Sequence, residues 1–421
     1  MILFLIFAIF FAFYFLLIRN AHHFLPIVYL FFFTYYIQYI FSVYLIYNVY
    51  PSLENQMPIP QEELFQYLIP AIAVFFGGAW LFKKDIDLSG YLYKIKPEEA
   101  TRLGHLLLAI SIAMDILSSV FPVVGSIVSF TNYLKYAAFM CYVFALTPLN
   151  LFIMFLIFLN LLRDALAGGI FVDFFMWCTL FFLLFAFRFQ FSVVRRSFFL
   201  ILAVPVLILI QSIKQEYRYY TNSGKKEQGL GTLTELVLKK QEKENSPFAE
   251  SSGVVNTVAR LNQGWHVAKV MKHVPSKVPF SNGSDLLSDL KGVILPRILF
   301  PEKKIAGDHS KFEHFTGHIL HNNTSMTVGV LGDFYLNFGY TGALVGLFIT
   351  GALLARALYW FTKKYVVTQP LNIIWIPVLF GFWIRANNDF YAVINSLFKG
   401  FLIFLFVRFL YKILWPEPVP R

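Results

Sequence analysis

Charge is scarce in this chain: only 14% of its 421 residues are Asp, Glu, Lys or Arg, where a soluble globular protein carries about a quarter. Cysteine is scarcer still. Cys141 and Cys178 both sit in apolar runs, which leaves no disulfide framework to expect. The signatures of soluble nucleotide enzymes are missing: there is no GxGxxG opening a strand-to-helix unit, no phosphate-binding loop and no GxSxG. Nucleotide-driven chemistry is therefore excluded as a working expectation, and any energy for a reaction must arrive with the substrate. No HExxH or Cys pattern supports a metal site, and neither a metal nor a cofactor is expected. The N-terminal run has no basic n-region and no small-x-small site after it, so it does not read as a signal peptide.

What is abundant is apolar. Hydrophobic residues make up 58% and aromatic residues 19%, with 50 phenylalanines. Runs such as MILFLIFAIFFAFYFLLI reach the roughly 18 apolar residues that cross a bilayer as a helix. Short alternating segments, the mark of a membrane barrel, do not occur. The expected fold is all-α: a polytopic transmembrane helical protein with about 11 spans and one large extracytoplasmic loop of short helices. The expected spans cover 2–18, 25–47, 64–82, 103–121, 133–147, 149–162, 170–187, 197–213, 330–360, 371–386 and 393–414. The fifth and sixth are short and meet at Pro148, as one broken helix or as a hairpin. This divides the chain into an N-terminal bundle (1–213), a cap loop (214–329) and C-terminal helices (330–421).

The net charge of +11 is first a topology signal. Lys83, Lys84, Lys94, Lys96 and Arg102 fill one connector, and Arg188, Arg195 and Arg196 another. Lys363 and Lys364 end the ninth span, and Arg408, Lys412 and Arg421 lie at the C-terminus. With eleven spans all four clusters share one side, the cytoplasm by the positive-inside rule. The N-terminus is then outside and the C-terminus inside, in a cytoplasmic membrane. Nucleic acid is not an expected partner. The loop holds an expected amphipathic helix over 230–245. A second covers 254–271, with Val255, Val258, Leu261 and Trp265 at helical spacing. A third follows SNGSDLL, with Ser284 or Asp285 as cap candidates.

Ionisable residues at membrane depth are functional candidates by default. The topology puts Arg163 and Asp164, and Arg385 with Asn388 and Asp389, at the outer ends of two spans. It puts Arg297 (LPRILFP) in the loop before a third. Arginine offers a planar fork that suits phosphate oxygens. The alternative is local pairing, Arg163 with Asp164 and Arg385 with Asp389 at i+4. Asp333, in VLGDFYLNFGYTG, opens the ninth span and is a general-base candidate. Its alternative is a carboxylate favoured by the helix dipole. Gly339, Gly342, Gly346 and Gly351 offer a close-packing face. His314, His318 and His321 fall at i, i+4 and i+7, one face if helical.

The segments LPRILFP, LGDFYLNFGYTGALVG and IRANNDF, with many short-looped spans before one large outer loop, resemble the O-antigen polymerase, or oligosaccharide repeat-unit polymerase, family. The chain has Asp333 where members of that family often carry Glu. The resemblance implies a metal-independent glycosyltransferase of the membrane-embedded C type (GT-C-like) in the bacterial inner membrane. It implies transfer of a growing glycan from its polyprenyl diphosphate carrier to a new lipid-linked repeat unit. Arg297, Arg163 and Arg385, with Asn388, would bind the diphosphate, and Asp333 or His321 would take the acceptor proton. A chain-length regulator and a flippase are the partners it implies. The rival expectations are an O-antigen ligase-like transferase and a transporter of lipid-linked sugars.

Overall fold

Apolar runs of this length leave the backbone one way to satisfy its polar groups, which is the helix. The computed structural model describes residues 2–20, 26–54, 56–120, 130–168, 171–222, 229, 231–232, 235–236, 253–295, 309–320 and 326–416, and among them there are helices and no strands. In chain order the helices are α1 (Ile2–Asn20), α2 (Ile27–Val49, with a π turn over Tyr36–Phe41), α3 (Gln61–Phe82), α4 (Pro97–Val120) and α5 (Leu134–Tyr142). Then come α6 (Pro148–Gly168), α7 (Phe171–Arg188) and α8 (Val193–Asn222). The cap contributes α9 (Gly253–Leu261), α10 (Gly264–His273), α11 (Ser284–Ile294) and α12 (His309–Thr316). The chain closes with α13 (Gly329–Phe361), α14 (Trp375–Ile384) and α15 (Phe390–Leu414).

The eleven expected spans each overlap a described helix, but not all of these helices are long enough to cross a membrane. Six of the described helices are long and apolar enough to cross a membrane: α2, α3, α4, α6, α13 and α15. The fifth expected span is corrected. α5 has 9 residues, all buried except Lys135, about 14 Å at 1.5 Å per residue, too short for a bilayer about 30 Å thick. Pro148 does not break a helix; it begins α6, where its missing N–H is no loss. The outer faces of the long helices are what water would not tolerate. Phe152 and Phe155 on α6, Val345 and Leu353 on α13, and Leu402, Phe406 and Phe409 on α15 are all exposed.

The bundle is centred on α13 packed against α3. At Gly78 a Cβ would run into the Phe348 carbonyl, and at Gly351 into the Phe75 carbonyl, so both glycines bring the two backbones into contact. Gly346 and Gly342 are covered differently, by Phe334 and Phe338 of their own helix. α13 is bent at Gly339, whose φ of 64° and ψ of −161° leave the helical region, a conformation natural to glycine. The ring of Phe280 from the cap packs there.

The basic clusters and the cap lie at opposite ends of α13. Lys84 stacks on Tyr359 at 5.6 Å and Arg408 on Tyr365 at 5.2 Å, beyond the last turns of α13. α10 and α12 meet its first turns, with Val270, Phe312 and Phe315 packed against Val328 and Leu336. The expected single helix over 254–271 is two helices, α9 and α10, separated at Asn262–Gln263. The Asn262 side chain accepts from Trp265 N at 3.1 Å. A Cβ on Gly264 would collide with Val43, so the chain turns where it presses on α2. Val255 and Val258 pack on Ile46 and Tyr50. α8 continues past 213 to Asn222. Most of the helix expected over 230–245 lies outside the described residues.

Candidate functional site

Between α14 and α15 the sequence turns from WIPVLFGFWI to RANND, and the helix stops. Arg385 takes extended backbone angles, and Asp389 caps α15 by accepting from Ala392 N at 2.8 Å. Non-helical backbone at this depth needs a partner for its carbonyls, and these come from α2 and from the start of α13. Thr34 donates to Ile384 O at 2.6 Å and Tyr39 to Ala386 O at 2.9 Å. Thr327 donates to Asn387 O, and Val330 N to Asn388 O at 3.1 Å. The Asn388 amide donates to Phe382 O at 2.9 Å. Gly329 allows this assembly. Its φ is +71°, and a Cβ there would strike the Tyr39 hydroxyl. The segment 384–388 is thus fixed between α2 and the start of α13, and Arg385 with it.

Arg385 points toward α7. Its Nη1 pairs with Asp173 Oδ1 at 2.6 Å, and its guanidinium lies 4.9 Å from the Phe382 ring centre. The i+4 pairing of Arg385 with Asp389 does not form, because the chain is not helical between them. Arg385 borders a cavity of about 610 Å³ enclosed by α2, α7, the α9–α10 turn and the 384–387 segment. Ligand sites run from about 300 to 1,000 Å³. Its lining mixes the apolar Leu30, Ile46, Met57, Phe175 and Met176 with Arg260, Arg385, His266 and the carboxamides of Gln38, Asn262, Gln263 and Asn387, and the Met176 sulfur lies 2.8 Å from Arg385 Nε.

His266 escaped the sequence reading. It stands in α10 between Trp265 and Phe312, whose rings meet it edge to face. Burial pushes its pKa down to about 4, outweighing a backbone hydrogen bond at Thr327, so it is neutral at physiological pH. A lone His in GWHVAK carries no spacing signal.

Asp333 lies elsewhere. It is fully buried and does not border the cavity. One carboxylate oxygen accepts from Phe390 N at 2.7 Å, and the other meets Lys311 Nζ at 2.7 Å. Lys311 also pairs with Asp285 at 2.8 Å and Asp289 at 3.2 Å, so one ammonium ties α11, α12 and α13 together. Burial alone would push Lys311 toward neutrality, but Asp333, Asp289 and Asp285 outweigh it and hold its pKa above the ordinary value. Nothing in KFEHF singles out its lysine, and only the fold shows it to be an interior strut.

The remaining candidates disperse. Arg163 is 71% exposed and pairs with its neighbour Asp164 at 2.8 Å, the local alternative; Asp164 also meets Lys135 at 3.3 Å. Asn388 is committed to the backbone of α14 and α13. Arg297 and His321 lie outside the described residues. The histidine face is corrected: α12 ends at Thr316 and Gly317 takes φ +64°, so His318 falls beyond the helix that carries His314.

The fold and this site define a class: an all-helical chain with six helices long and apolar enough to cross a membrane, and an arginine-bordered cavity beneath a helical cap. The chain belongs to the family described as Domain of unknown function (DUF8712), which matches residues 22–414. No curated protein and no solved structure matches the chain.

Proposed function

We propose that the protein polymerises polyprenyl-diphosphate-linked oligosaccharide repeat units into a surface polysaccharide, by glycosyl transfer at the outer face of the cytoplasmic membrane. The observation that carries this reading is the cavity of about 610 Å³, whose lining combines Arg385 and Arg260 with apolar side chains such as Leu30, Ile46 and Phe175. A lipid diphosphate has the matching parts: a charged group for the guanidinium forks and a hydrocarbon chain for the apolar side chains. Carboxamides such as Gln38 and Asn262 offer donors and acceptors for sugar hydroxyls.

In the proposed reaction the acceptor hydroxyl oxygen bonds to the anomeric carbon of the donor glycan. The bond from that carbon to the diphosphate oxygen breaks, and its electron pair leaves with the diphosphate. Arg385 and Arg260 stabilise the departing charge. The hydroxyl proton passes to neutral His266, which borders the same cavity, whereas Asp333 is held by Lys311 and Phe390 N. Asp173 is the counter-ion that must yield when the diphosphate arrives. It is half exposed, and its rotation into water costs little.

Purified protein incubated with a lipid-linked repeat unit, without nucleotide or metal, is expected to give a ladder of longer glycans. Recovery of the starting unit alone contradicts polymerisation. Transfer to a different acceptor lipid, with no ladder, marks a ligase instead.

A further inference from the structure

α11 has apolar side chains on both faces. Its inward face buries Leu286 and Val293 together with Asp285 and Asp289, the two carboxylates paired with Lys311. Its outward face carries Leu287 (52% exposed), Leu290 (39%) and Ile294 (62%), with exposed Lys291 among them. These positions follow the i, i+3, i+7 pattern of one helical stripe. A helix in water would not present such a stripe outward, and the Lys311 ion pairs fix the roll that does.

The depth of α11 follows from α13. From Tyr340 to Phe361 that helix has 22 residues past the bend, about 33 Å, which by itself crosses the roughly 30 Å hydrocarbon layer. The bend at Gly339 therefore falls near the edge of that layer. α11 is seated there: Ser281 N donates to Leu336 O at 3.0 Å, and Gly283 abuts the Phe338 ring. The helix also packs against α15. Both helices it meets carry exposed apolar side chains, Phe338, Tyr340 and Val345 on α13 and Phe398 and Leu402 on α15.

We infer that α11 lies in the cap-side membrane interface, with Leu287, Leu290 and Ile294 in the acyl region, and that it anchors the cap to the lipid surface. The occupant of this face is lipid, because α11 packs against two candidate spans whose own outer faces are apolar and stands at their boundary depth. A helix with one apolar face at that level inserts by burying it among acyl chains. Lys291 extends its ammonium to the headgroup phosphates while its stem covers hydrocarbon. The Lys311 cluster then acts as a roll lock, aiming the stripe outward.

This inference is independent of the catalytic reading and is tested without turnover. Leu287→Cys, Leu290→Cys and Ile294→Cys are made one at a time in the full chain, spin-labelled and reconstituted in phosphatidylglycerol–phosphatidylcholine vesicles. The wild-type chain, with Cys141 and Cys178 alone, supplies the background signal. Leu402→Cys on α15 is the lipid control and Lys277→Cys, on the exposed cap, the water control. Collision with oxygen and with a water-soluble nickel chelate is measured at each site. All three stripe positions are expected to follow Leu402→Cys, with oxygen collisions several-fold favoured over nickel. Nickel collisions equal to those at Lys277→Cys place the stripe in water and overturn the inference. Shielding from both reagents means that protein covers the stripe, and overturns it equally.

Discussion

Two buried cations stand at the junction of cap and bundle, and they differ in what remains for them to do. Lys311 meets three carboxylates, Asp285, Asp289 and Asp333, at 2.7–3.2 Å, and all four side chains are nearly sealed from solvent. Arg385 meets one carboxylate, Asp173, whose side chain is 45% exposed, and it borders a cavity. An ammonium surrounded by carboxylates on three helices is a strut. A planar guanidinium beside a cavity, with one half-exposed carboxylate as its counter-ion, is a candidate for binding. Two cations thus divide into structure and candidate chemistry by their neighbours alone.

The comparison breaks most visibly at the strut. Lys311→Met leaves three buried carboxylates without their cation, and removing one partner of a buried ion pair costs about 3–5 kcal/mol. Thermal unfolding of the purified protein is expected to show this as a large loss of stability. A variant as stable as wild type would mean that the cluster holds nothing. Arg385→Ala is expected to do the reverse. The ladder of products falls by a factor of about 10²–10³, the usual loss for one group that stabilises a leaving charge, while the melting temperature stays close to wild type.

Acid sharpens the comparison on the cavity side. His266 has a folded pKa lowered to about 4 against an ordinary value of about 6.5. The unfolded chain therefore gains a proton on this residue before the native chain does. Its contribution is complete above pH 6.5 and declines as pH falls from 6.5 toward 4, by about 3 kcal/mol at about 1.4 kcal/mol per unit. Wild type is expected to lose that stability in this window, and His266→Gln to lose less of it. Identical acid profiles would show that His266 does not titrate out of a buried neutral state. The smallest effect is expected at Arg163. It is exposed and paired with an adjacent exposed carboxylate, an arrangement worth about 0–1 kcal/mol. Arg163→Ala should leave both product length and melting temperature within error of wild type.

Much of the helical layout was legible because apolar runs and Pro or Gly punctuation act locally. The ends of α3, α13 and α15 fall within a few residues of the expected spans. Arg385 was legible because IRANND interrupts two apolar runs. Other features depend on contacts across the chain, where periodicity is silent. Lys311 draws in residues 285, 289 and 333, and Asp173 reaches Arg385 across more than 200 positions. α5 reads as a span by composition, but it is an enclosed short helix. The stripe on α11 reads as a core face in SDLLSDLKGVI, since a sequence pattern gives the amphipathicity and not which side meets lipid. His266 gave no signal because its neutrality comes from Trp265 and Phe312 packed around it.

The most direct measurement is the affinity of the full-length protein in nanodiscs for undecaprenyl diphosphate, compared with Arg385→Ala and Arg163→Ala. Loss of a charged hydrogen-bonding partner is worth about 1.5–3 kcal/mol, a weakening of roughly tenfold to a hundredfold. The account predicts that loss for Arg385→Ala and wild-type affinity for Arg163→Ala. Equal affinity of wild type and Arg385→Ala would contradict the claim that the cavity at Arg385 holds the diphosphate.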